Sequence, residues 1–191
     1  MARSGIKTKI RILTVAYDLF YKEGFARVSM DAIAEAVGVT KRTLYNHFES
    51  KDALVAAVLD HQHLHALARI QDWGKETAET PAELVTALFE NLEKWASMPR
   101  WLGSGFTRLT MELADLPGHP ARHAARQHKA VVEQWLTEEL STLGARHPQE
   151  LGRQVMLLIE GCLSLILIHG DASYAATAMR AAIRLADHEN D

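Results

Sequence analysis

The segment from Met30 to Phe48 constrains the fold of this chain most strongly, because it prescribes two short helices joined by a tight turn. Ile33 and Val37 stand four residues apart, which predicts the buried face of the first helix. Gly38 follows at the point where the chain must turn and where a side chain would clash. Leu44 then predicts the inward side of the second helix. The segment therefore predicts a helix-turn-helix.

The second of these helices carries a polar group around its tip once Leu44 points inward. Its members are Thr40, Lys41, Arg42, Thr43, Tyr45 and Asn46. Cations, hydroxyls and an amide are the donors that bind phosphates and base edges, and the first turn of a short recognition helix is where a DNA groove is usually contacted. We interpret the segment as DNA-binding. The plainer alternative is an ordinary helical hairpin with a solvated end.

The charge distribution supports this interpretation, although the net charge of −3 does not. Residues 1–51 carry nine Lys and Arg against five Asp and Glu, a net +4, and the remainder carries a net −7. Such asymmetry is typical of a basic part that meets phosphates and an acidic part that does not.

Helical periodicity continues through the whole chain, with no repeat and no alternating strand pattern. We therefore expect an all-α fold of about nine helices, including one over residues 100–114. The buried stripe predicted for the first helix is Ile6, Ile10, Leu13, Tyr17 and Phe20. A polar stretch over residues 74–80 marks a linker. The predicted domains are a DNA-binding domain over residues 6–66, with three helices, and a C-terminal ligand-binding and dimerisation domain over residues 67–191.

Several other classes of protein are disfavoured by what the sequence lacks. No apolar leader is present, and the apolar segment over residues 155–168 is too short to cross a bilayer. We therefore expect a cytoplasmic protein without a membrane partner. A single cysteine, Cys162, fits a reducing compartment and is interpreted as a buried apolar residue.

No nucleophile with a nearby base and no phosphate-binding glycine loop stands out, so we expect neither an enzyme nor a cofactor. Two histidine pairs, His61 with His65 and His119 with His123, have a spacing that suits zinc on a helix. Neither pair has an obvious third ligand, and we expect solvated helix faces and no metal site.

A longer pattern surrounds the helix-turn-helix. It consists of Ala16, Leu19, Phe20, Gly24, Phe25, Ser29, Met30, Ile33, Ala34, Val37, Gly38, Val39, Thr40, Thr43, Leu44, Tyr45, His47, Phe48, Ser50, Lys51 and Leu54. This pattern resembles the N-terminal domain of the TetR family of bacterial regulators, and the likeness extends over about residues 6–66. Val37 departs from it, since the family often has alanine there.

The resemblance implies a homodimer that places one recognition helix in each of two successive major grooves. By the same resemblance, the DNA contacts would be Ser29, Thr40, Lys41, Tyr45, Asn46 and Lys51. From side-chain chemistry, Lys41, Arg42 and Asn46 are the better candidates for reading bases. His47 shares the inward side of its helix with Leu44 and is expected to pack beneath it.

The last two predicted helices, about residues 149–169 and 172–188, suit a dimer interface. The first is apolar nearly all round, so one buried face does not account for it. The second is rich in alanine, which allows close helix approach. We expect both helices to pack against the equivalent helices of a second subunit in a four-helix interface. The alternative is a helix that is buried entirely within one subunit.

A small-molecule pocket is predicted from aromatic and apolar residues of the middle helices. The candidates are Trp95, Trp101, Phe106, Leu109, Thr110, Met111 and Trp135. Gly103 and Gly105 would weaken one wall and let it move. Plain core packing explains the same residues equally well.

Together these features predict a ligand-responsive repressor that leaves a palindromic operator when a small, largely apolar molecule binds. Two alternatives stay open: a DNA-binding regulator with no small-molecule inducer, and an activator.

Overall fold

The computed structural model describes residues 2–75 and 78–188, and its regular elements over these ranges are nine α-helices without a strand. In chain order they are α1 (Ala2–Glu23), α2 (Met30–Val37), α3 (Lys41–His47), α4 (Lys51–Lys75), α5 (Pro81–Ala96), α6 (Gly105–Glu112), α7 (Pro120–Thr142), α8 (Pro148–His169) and α9 (Tyr174–His188). The predicted all-α class is confirmed. Residues 76 and 77 of the predicted linker and the last three residues of the predicted C-terminal domain lie outside the described ranges.

Contacts within the chain gather the helices into two compact units. The first, the head unit, holds the residues up to His65 together with Ser104–Gln127. The second, the body unit, holds Ala66–Gly103 and the residues from His128 onward. α6 therefore groups with the N-terminal helices, although the sequence analysis placed it in the C-terminal domain. The division by function, at residue 66, stays a prediction.

The core of the head unit consists of apolar side chains of α1 to α4. Its fully buried members are Ile12, Ala16, Ile33, Leu44, Leu54 and Val55. Ile6 and Ile10, which we expected in the stripe of α1, are exposed, whereas Leu13 and Phe20 are buried as predicted. The apolar stripe of a helix is buried only where a neighbouring element covers it. The regular spacing of apolar residues on α1 therefore did not show at which residue its buried part begins.

α6 is shorter than the helix predicted over residues 100–114. Arg100 and Gly103 have positive φ values of 63° and 85°, which a right-handed helix does not allow. The helix starts only after Ser104, whose hydroxyl accepts a hydrogen bond from the Thr107 N–H at 3.5 Å. Gly105 then lies so close to α1 that a Cβ at this position would come within 3.3 Å of the Tyr17 ring. This glycine permits close packing of α6 on α1.

The core of the body unit lies among α5, the second half of α7, α8 and α9, with α5 packed mainly on α9. Its buried residues on α9 are Ala175, Ala178, Ala182 and Ala186. The small side chains of α9 thus serve close approach to helices of the same chain, and pairing of α9 with a twin stays a prediction.

α8 has one buried face and one exposed apolar face. Leu157, Leu165, Leu167 and Ile168 are all exposed on it. At 22 residues α8 is the one helix within 2–75 and 78–188 that is long and apolar enough to cross a membrane by length and composition. The apolar run over residues 155–168 is only part of this helix, which begins about two turns earlier at Pro148. Core helices of soluble proteins meet the same criterion, so this is weak evidence for a membrane.

Cys162 is buried on the inner face of α8. Burial raises the pKa of its thiol to about 11, and the nearby Glu93 carboxylate adds to the effect. The thiol is therefore protonated and a poor nucleophile at neutral pH.

Candidate nucleic-acid interface

The turn between α2 and α3 is closed by Gly38. Its φ of 72° and ψ of 43° lie in the left-handed region, where glycine carries no Cβ penalty. The Gly38 N–H donates to the Glu35 carbonyl and the Val39 N–H to the Ala34 carbonyl, each at 3.0 Å. These bonds satisfy the last carbonyls of α2 and fix the direction in which α3 leaves. The predicted turn at Gly38 is confirmed, but the predicted clash was wrong: a Cβ at this position would meet nothing within 4 Å, and it is the left-handed φ that favours glycine.

Hydroxyl caps fix the starts of the three helices that would face DNA. Ser29 Oγ accepts from the Ala32 N–H at 3.1 Å, Thr40 Oγ1 from the Thr43 N–H at 3.1 Å, and Ser50 Oγ from the Ala53 N–H at 3.0 Å. Each bond satisfies one of the free N–H groups of a first helical turn. A capping oxygen keeps its own hydrogen, which is then available to an acceptor such as a phosphate.

α3 packs on the rest of the head unit through its fully buried residue Leu44, and its polar side chains face solvent. Thr40, Lys41, Arg42, Tyr45 and Asn46 are exposed and Thr43 is half-buried. Thr43 Oγ1 lies 2.8 Å from Thr40 Oγ1, so these two hydroxyls share one hydrogen bond. The structure thus brings together six of the eight predicted DNA-contacting residues on one short helix and its cap.

Within the part of the chain that the structure describes, the side chains on α3 differ in their partners. Arg42 and Asn46 form no side-chain hydrogen bond or ion pair there, so their donors remain for a ligand. Lys41 instead forms an ion pair with Asp31 on α2, with Nζ 2.8 Å from Oδ1. The hydrogen bond to Asp31 raises the pKa of the Lys41 ammonium. Ser29 lies at the start of α2, away from this group in sequence.

Two further lysines lie against aromatic rings beside the helix-turn-helix. Lys51, the first residue of α4, has its Nζ 4.1 Å from the centroid of the Phe25 ring, and burial lowers the pKa of its ammonium. Lys9 Nζ lies 5.7 Å from the centroid of the ring of Phe48, the residue that follows α3. Lys9 was not predicted as a site residue, because a single lysine on a regular helix carries no local signal.

α6 holds the end of α1 and the turn that follows it. Glu112 Oε2 accepts hydrogen bonds from the N–H groups of Phe25 at 2.8 Å and Ala26 at 3.3 Å. Arg108 Nη1 donates to the Tyr21 carbonyl at 2.8 Å. We call these three bonds the α6 clamp. It joins residues about 87 positions apart, and no pattern in the sequence pointed to it.

Comparison with known proteins identifies this architecture. Residues 12–58 match the family of "Bacterial regulatory proteins, tetR family". The HTH-type transcriptional regulator YjdC of Escherichia coli K12 is 26% identical over 175 residues, which span 90% of this chain and 89% of YjdC. UidR of the same strain, also an HTH-type transcriptional regulator, is 40% identical over 65 residues, 34% of this chain and 33% of its own.

A solved structure agrees over the full length. A putative TetR transcriptional regulator from Streptomyces avermitilis superposes with a TM-score of 0.81 at 29% identity, covering 94% of this chain and 98% of that chain. This chain belongs to the TetR family. It is a DNA-binding transcriptional regulator, and its helix-turn-helix is the DNA-binding element.

The residues predicted to bind a ligand in this TetR-family regulator fall into both units. Phe106, Leu109, Thr110 and Met111 belong to α6 in the head unit, and Trp95, Trp101 and Trp135 belong to the body unit. Phe106 and Leu109 are buried, whereas Met111 is 63% exposed. Leu109 lines a cavity of about 30 Å³ within the head unit, which is roughly the space of one or two water molecules.

Trp73, Trp95 and Trp101 of the body unit form an aromatic cluster. The ring centroids of Trp95 and Trp101 are 5.5 Å apart at an interplanar angle of 89°, and those of Trp73 and Trp95 are 5.9 Å apart. The Arg69 guanidinium lies 4.7 Å from the Trp95 centroid. Trp135 Nε1 donates to Glu139 at 3.0 Å, which satisfies that indole without a ligand.

The histidine pairs do not assemble a metal site among the residues described. The rings of His61 and His65 lie 5.4 Å apart. His119 is buried, with Nδ1 accepting from the Ala121 N–H at 3.1 Å and Nε2 3.3 Å from Asp52 Oδ1. Over residues 2–75 and 78–188 no three His, Cys, Asp or Glu side chains come together as a metal ion requires. The absence of a metal stays a prediction.

Proposed function

We propose that this TetR-family regulator is a cytoplasmic repressor and not an enzyme. Two copies bind a palindromic operator, and a small, largely apolar molecule releases them. The observation that carries the proposal is the exposed polar face of α3, whose helix is anchored by the fully buried Leu44 and aimed by the Gly38 turn. A rigid base with unpaired donors at its tip is what reading a DNA groove requires.

In this proposal the contacts divide by chemistry. Arg42 and Asn46, whose donors have no partner among the described side chains, read base edges together with Lys41. Phosphate contacts come from the hydroxyls and the lysine at helix starts, which are Ser29, Thr40, Thr43, Tyr45 and Lys51.

Dimerisation through α8 follows from the exposed apolar face of that helix. A palindrome is bound by two copies whose recognition helices are about 34–36 Å apart, one turn of DNA. Soluble monomers rarely leave a row of leucine and isoleucine in water. Packing of α8 and α9 against the equivalent helices of the second subunit would cover Leu157 and Ile168 and hold the two recognition helices at a fixed spacing.

Release by a ligand requires an element that changes position, and α6 suits this role. Its clamp holds the turn that leads into α2, so a ligand that shifts α6 would loosen Phe25 and Ala26 and disturb the start of the helix-turn-helix. The ligand must bind the released state more tightly than the DNA-bound one, or the equilibrium does not move.

Tyr45→Ala and Lys51→Ala test the proposed DNA contacts. We expect each to weaken operator binding by at least about tenfold, because each removes one phosphate contact per subunit and a hydrogen bond to a charged group contributes about 1.5–3 kcal/mol. Lys51→Ala should also lower the slope of log affinity against log salt by about two, one phosphate contact per subunit. Fluorescence anisotropy across a salt series measures both quantities.

Lys94→Ala is the matched control, because it removes an exposed lysine from α5 in the body unit. It should leave affinity and slope unchanged, and the mass of the dimer should be the same for all variants. Full operator affinity of both Tyr45→Ala and Lys51→Ala would contradict the contact assignment.

Glu112→Ala tests whether the α6 clamp supports DNA binding. Losing two hydrogen bonds to a carboxylate at an exposed site should lower operator affinity by roughly three- to tenfold, because the turn before α2 is no longer held. Glu23→Ala is the control: it removes a carboxylate near the same turn that forms no hydrogen bond or ion pair with the described residues. Equal affinities of the two variants would show that only charge matters there.

A second candidate is a DNA-binding regulator without an inducer. The specific observation in its favour is the 30 Å³ cavity beside Leu109, which is far below the roughly 300–1,000 Å³ of typical ligand sites. Thermal unfolding of the protein with each member of a panel of apolar compounds distinguishes the two candidates. A compound that raises the unfolding temperature and lowers operator affinity supports the ligand-released repressor. A panel without any such compound supports the regulator without an inducer.

A further inference from the structure

An ion pair joins the two helices of the helix-turn-helix on their exposed side. Lys41, the first residue of α3, places its Nζ 2.8 Å from Oδ1 and 3.0 Å from Oδ2 of Asp31, in the first turn of α2. The two side chains are 60% and 65% exposed. An acidic side chain therefore touches a lysine on the recognition helix, in a region that must approach a polyanion.

This pair contributes little to the stability of the fold. Ion pairs between exposed side chains are screened by water and salt, and many have no measurable effect on unfolding. The start of α3 is fixed independently by the Thr40 cap, and its base by the buried Leu44. The effect of Asp31 is therefore expected in binding.

We propose that Asp31 is a specificity-determining residue of the DNA interface: it holds the Lys41 ammonium in one position and lowers the attraction of the recognition helix for DNA of arbitrary sequence. The inference rests on the proposed function, because it requires that Lys41 contacts DNA. Asp31 itself acts through Lys41 as a positioning residue.

The physical reason lies in how lysine binds DNA. A free lysine is a mobile point charge that accepts any nearby phosphate, and such contacts strengthen binding to every sequence alike. With Asp31 in reach of Nζ through both carboxylate oxygens, the ammonium is held near α2 and its remaining hydrogens have a restricted set of directions. The carboxylate also repels phosphates that are not correctly placed.

Specificity is the difference between the affinities for two sequences, so a charge that weakens both can still improve it. At the operator, the ammonium of Lys41 lies next to an acceptor on the DNA. This contact offsets the affinity that is lost because the Asp31 carboxylate repels phosphates. On other DNA no acceptor is in that place, and the repulsion remains. Asp31 therefore lowers binding to arbitrary DNA more than binding to the operator.

A competing local role must be separated from this one. An acidic residue in the first turn of a helix also stabilises that helix through its dipole, and Asp31 occupies such a position in α2. Loss of that role would destabilise the head unit, but it would weaken binding to both kinds of DNA. The ratio of the two affinities is therefore the informative readout.

The experiment uses the full-length dimer and two duplexes of equal length and composition. One carries a sequence selected by the protein from random DNA, and the other is its scrambled counterpart. We expect Asp31→Asn to raise affinity for the scrambled duplex by roughly three- to tenfold and to change affinity for the selected duplex by no more than about twofold. Glu35→Gln is the matched control, because Glu35 is an exposed carboxylate on the same helix without an ion pair to Lys41.

Three further variants complete the test. Asp31→Glu keeps the charge within reach of Lys41 and should keep the affinity ratio of the wild type. Lys41→Met should weaken binding to the selected duplex. The double variant, Asp31→Asn with Lys41→Met, should have the same ratio as Lys41→Met alone, because Asp31 acts through Lys41.

The outcomes distinguish the inference from the function on which it rests. If Asp31→Asn and Glu35→Gln change both duplexes by the same factor, only net charge matters and the inference is wrong, while the DNA contact of Lys41 stands. If Lys41→Met binds the selected duplex as tightly as the wild type, the proposed contact is wrong and the inference fails with it. A fall in affinity of Asp31→Asn for both duplexes alike would assign Asp31 to the stability of α2 and overturn the inference.

Discussion

A chain carrying Leu157→Asp is expected to be monomeric and to lose specific operator binding. Leu157 is 69% exposed on α8 and is the first residue of the exposed apolar row that we propose as the dimer interface. In a two-fold symmetric dimer each substitution occurs twice, so two carboxylates would enter one apolar interface. The nearest cation on α8, Arg153 one turn earlier, already forms an ion pair with Glu133, with Nε 3.1 Å from Oε1.

The expected effect is large because a buried, unpaired charge is costly. Breaking a buried pair and leaving one charge without a partner costs about 3–5 kcal/mol, and 1.4 kcal/mol is a tenfold change in an equilibrium constant. Self-association should therefore weaken by about 100-fold or more. Operator affinity should fall by a similar factor, since a monomer fills only one half-site. Sedimentation equilibrium and fluorescence anisotropy on the same samples measure the two quantities.

Leu64→Asp is the matched control for this substitution. Leu64 is also 69% exposed, but it lies on α4 in the head unit. The control should remain dimeric at concentrations where Leu157→Asp is monomeric. A Leu157→Asp chain with the dimer mass of the wild type would show that α8 does not form the interface.

Leu44→Ala is the second substitution with a large expected effect. Leu44 is fully buried beneath α3 and is the only residue of that helix that is buried. Removing three carbon atoms from such a site costs about 2–5 kcal/mol through lost burial and the cavity left behind. Whole proteins are stable by only about 5–15 kcal/mol, so the recognition helix should open locally well before the rest of the chain.

Hydrogen exchange of peptides that cover α3 measures this opening directly. The amides of α3 should exchange much faster in Leu44→Ala than in the wild type, and operator affinity should fall in proportion to the population of the open form. Leu44→Met is the control, since a swap of similar volume costs less than about 1.5 kcal/mol. Unchanged exchange in Leu44→Ala would mean that other contacts hold α3 in place.

The sequence was informative wherever the determining interaction is local. Gly38 was predicted as the turn residue because a tight turn between two helices selects glycine within a few positions of sequence. The polar tip of α3 followed from the same logic once Leu44 was placed inside. These features define most of the candidate DNA-binding site.

Features that depend on distant parts of the chain were not predictable in this way. The exposure of Ile6 and Ile10 depends on which element covers α1, and helical spacing carries no information about that. The start of α6 at Gly105 and the bonds of Glu112 depend on α1, about 87 positions away. Lys51 was predicted as a DNA contact. Its position over the Phe25 ring was not predicted, because Phe25 is distant from Lys51 in the sequence.

The α6 clamp also has a consequence for synthesis of the chain. The backbone N–H groups of Phe25 and Ala26 receive their acceptor from a residue that the ribosome adds 86 or 87 positions later. At about 5–20 residues per second, translation needs on the order of ten seconds to cover that distance. Throughout this interval the nascent N-terminal helices have water in place of Glu112. The turn that leads into the helix-turn-helix therefore cannot complete its hydrogen bonding until Glu112 has been synthesised.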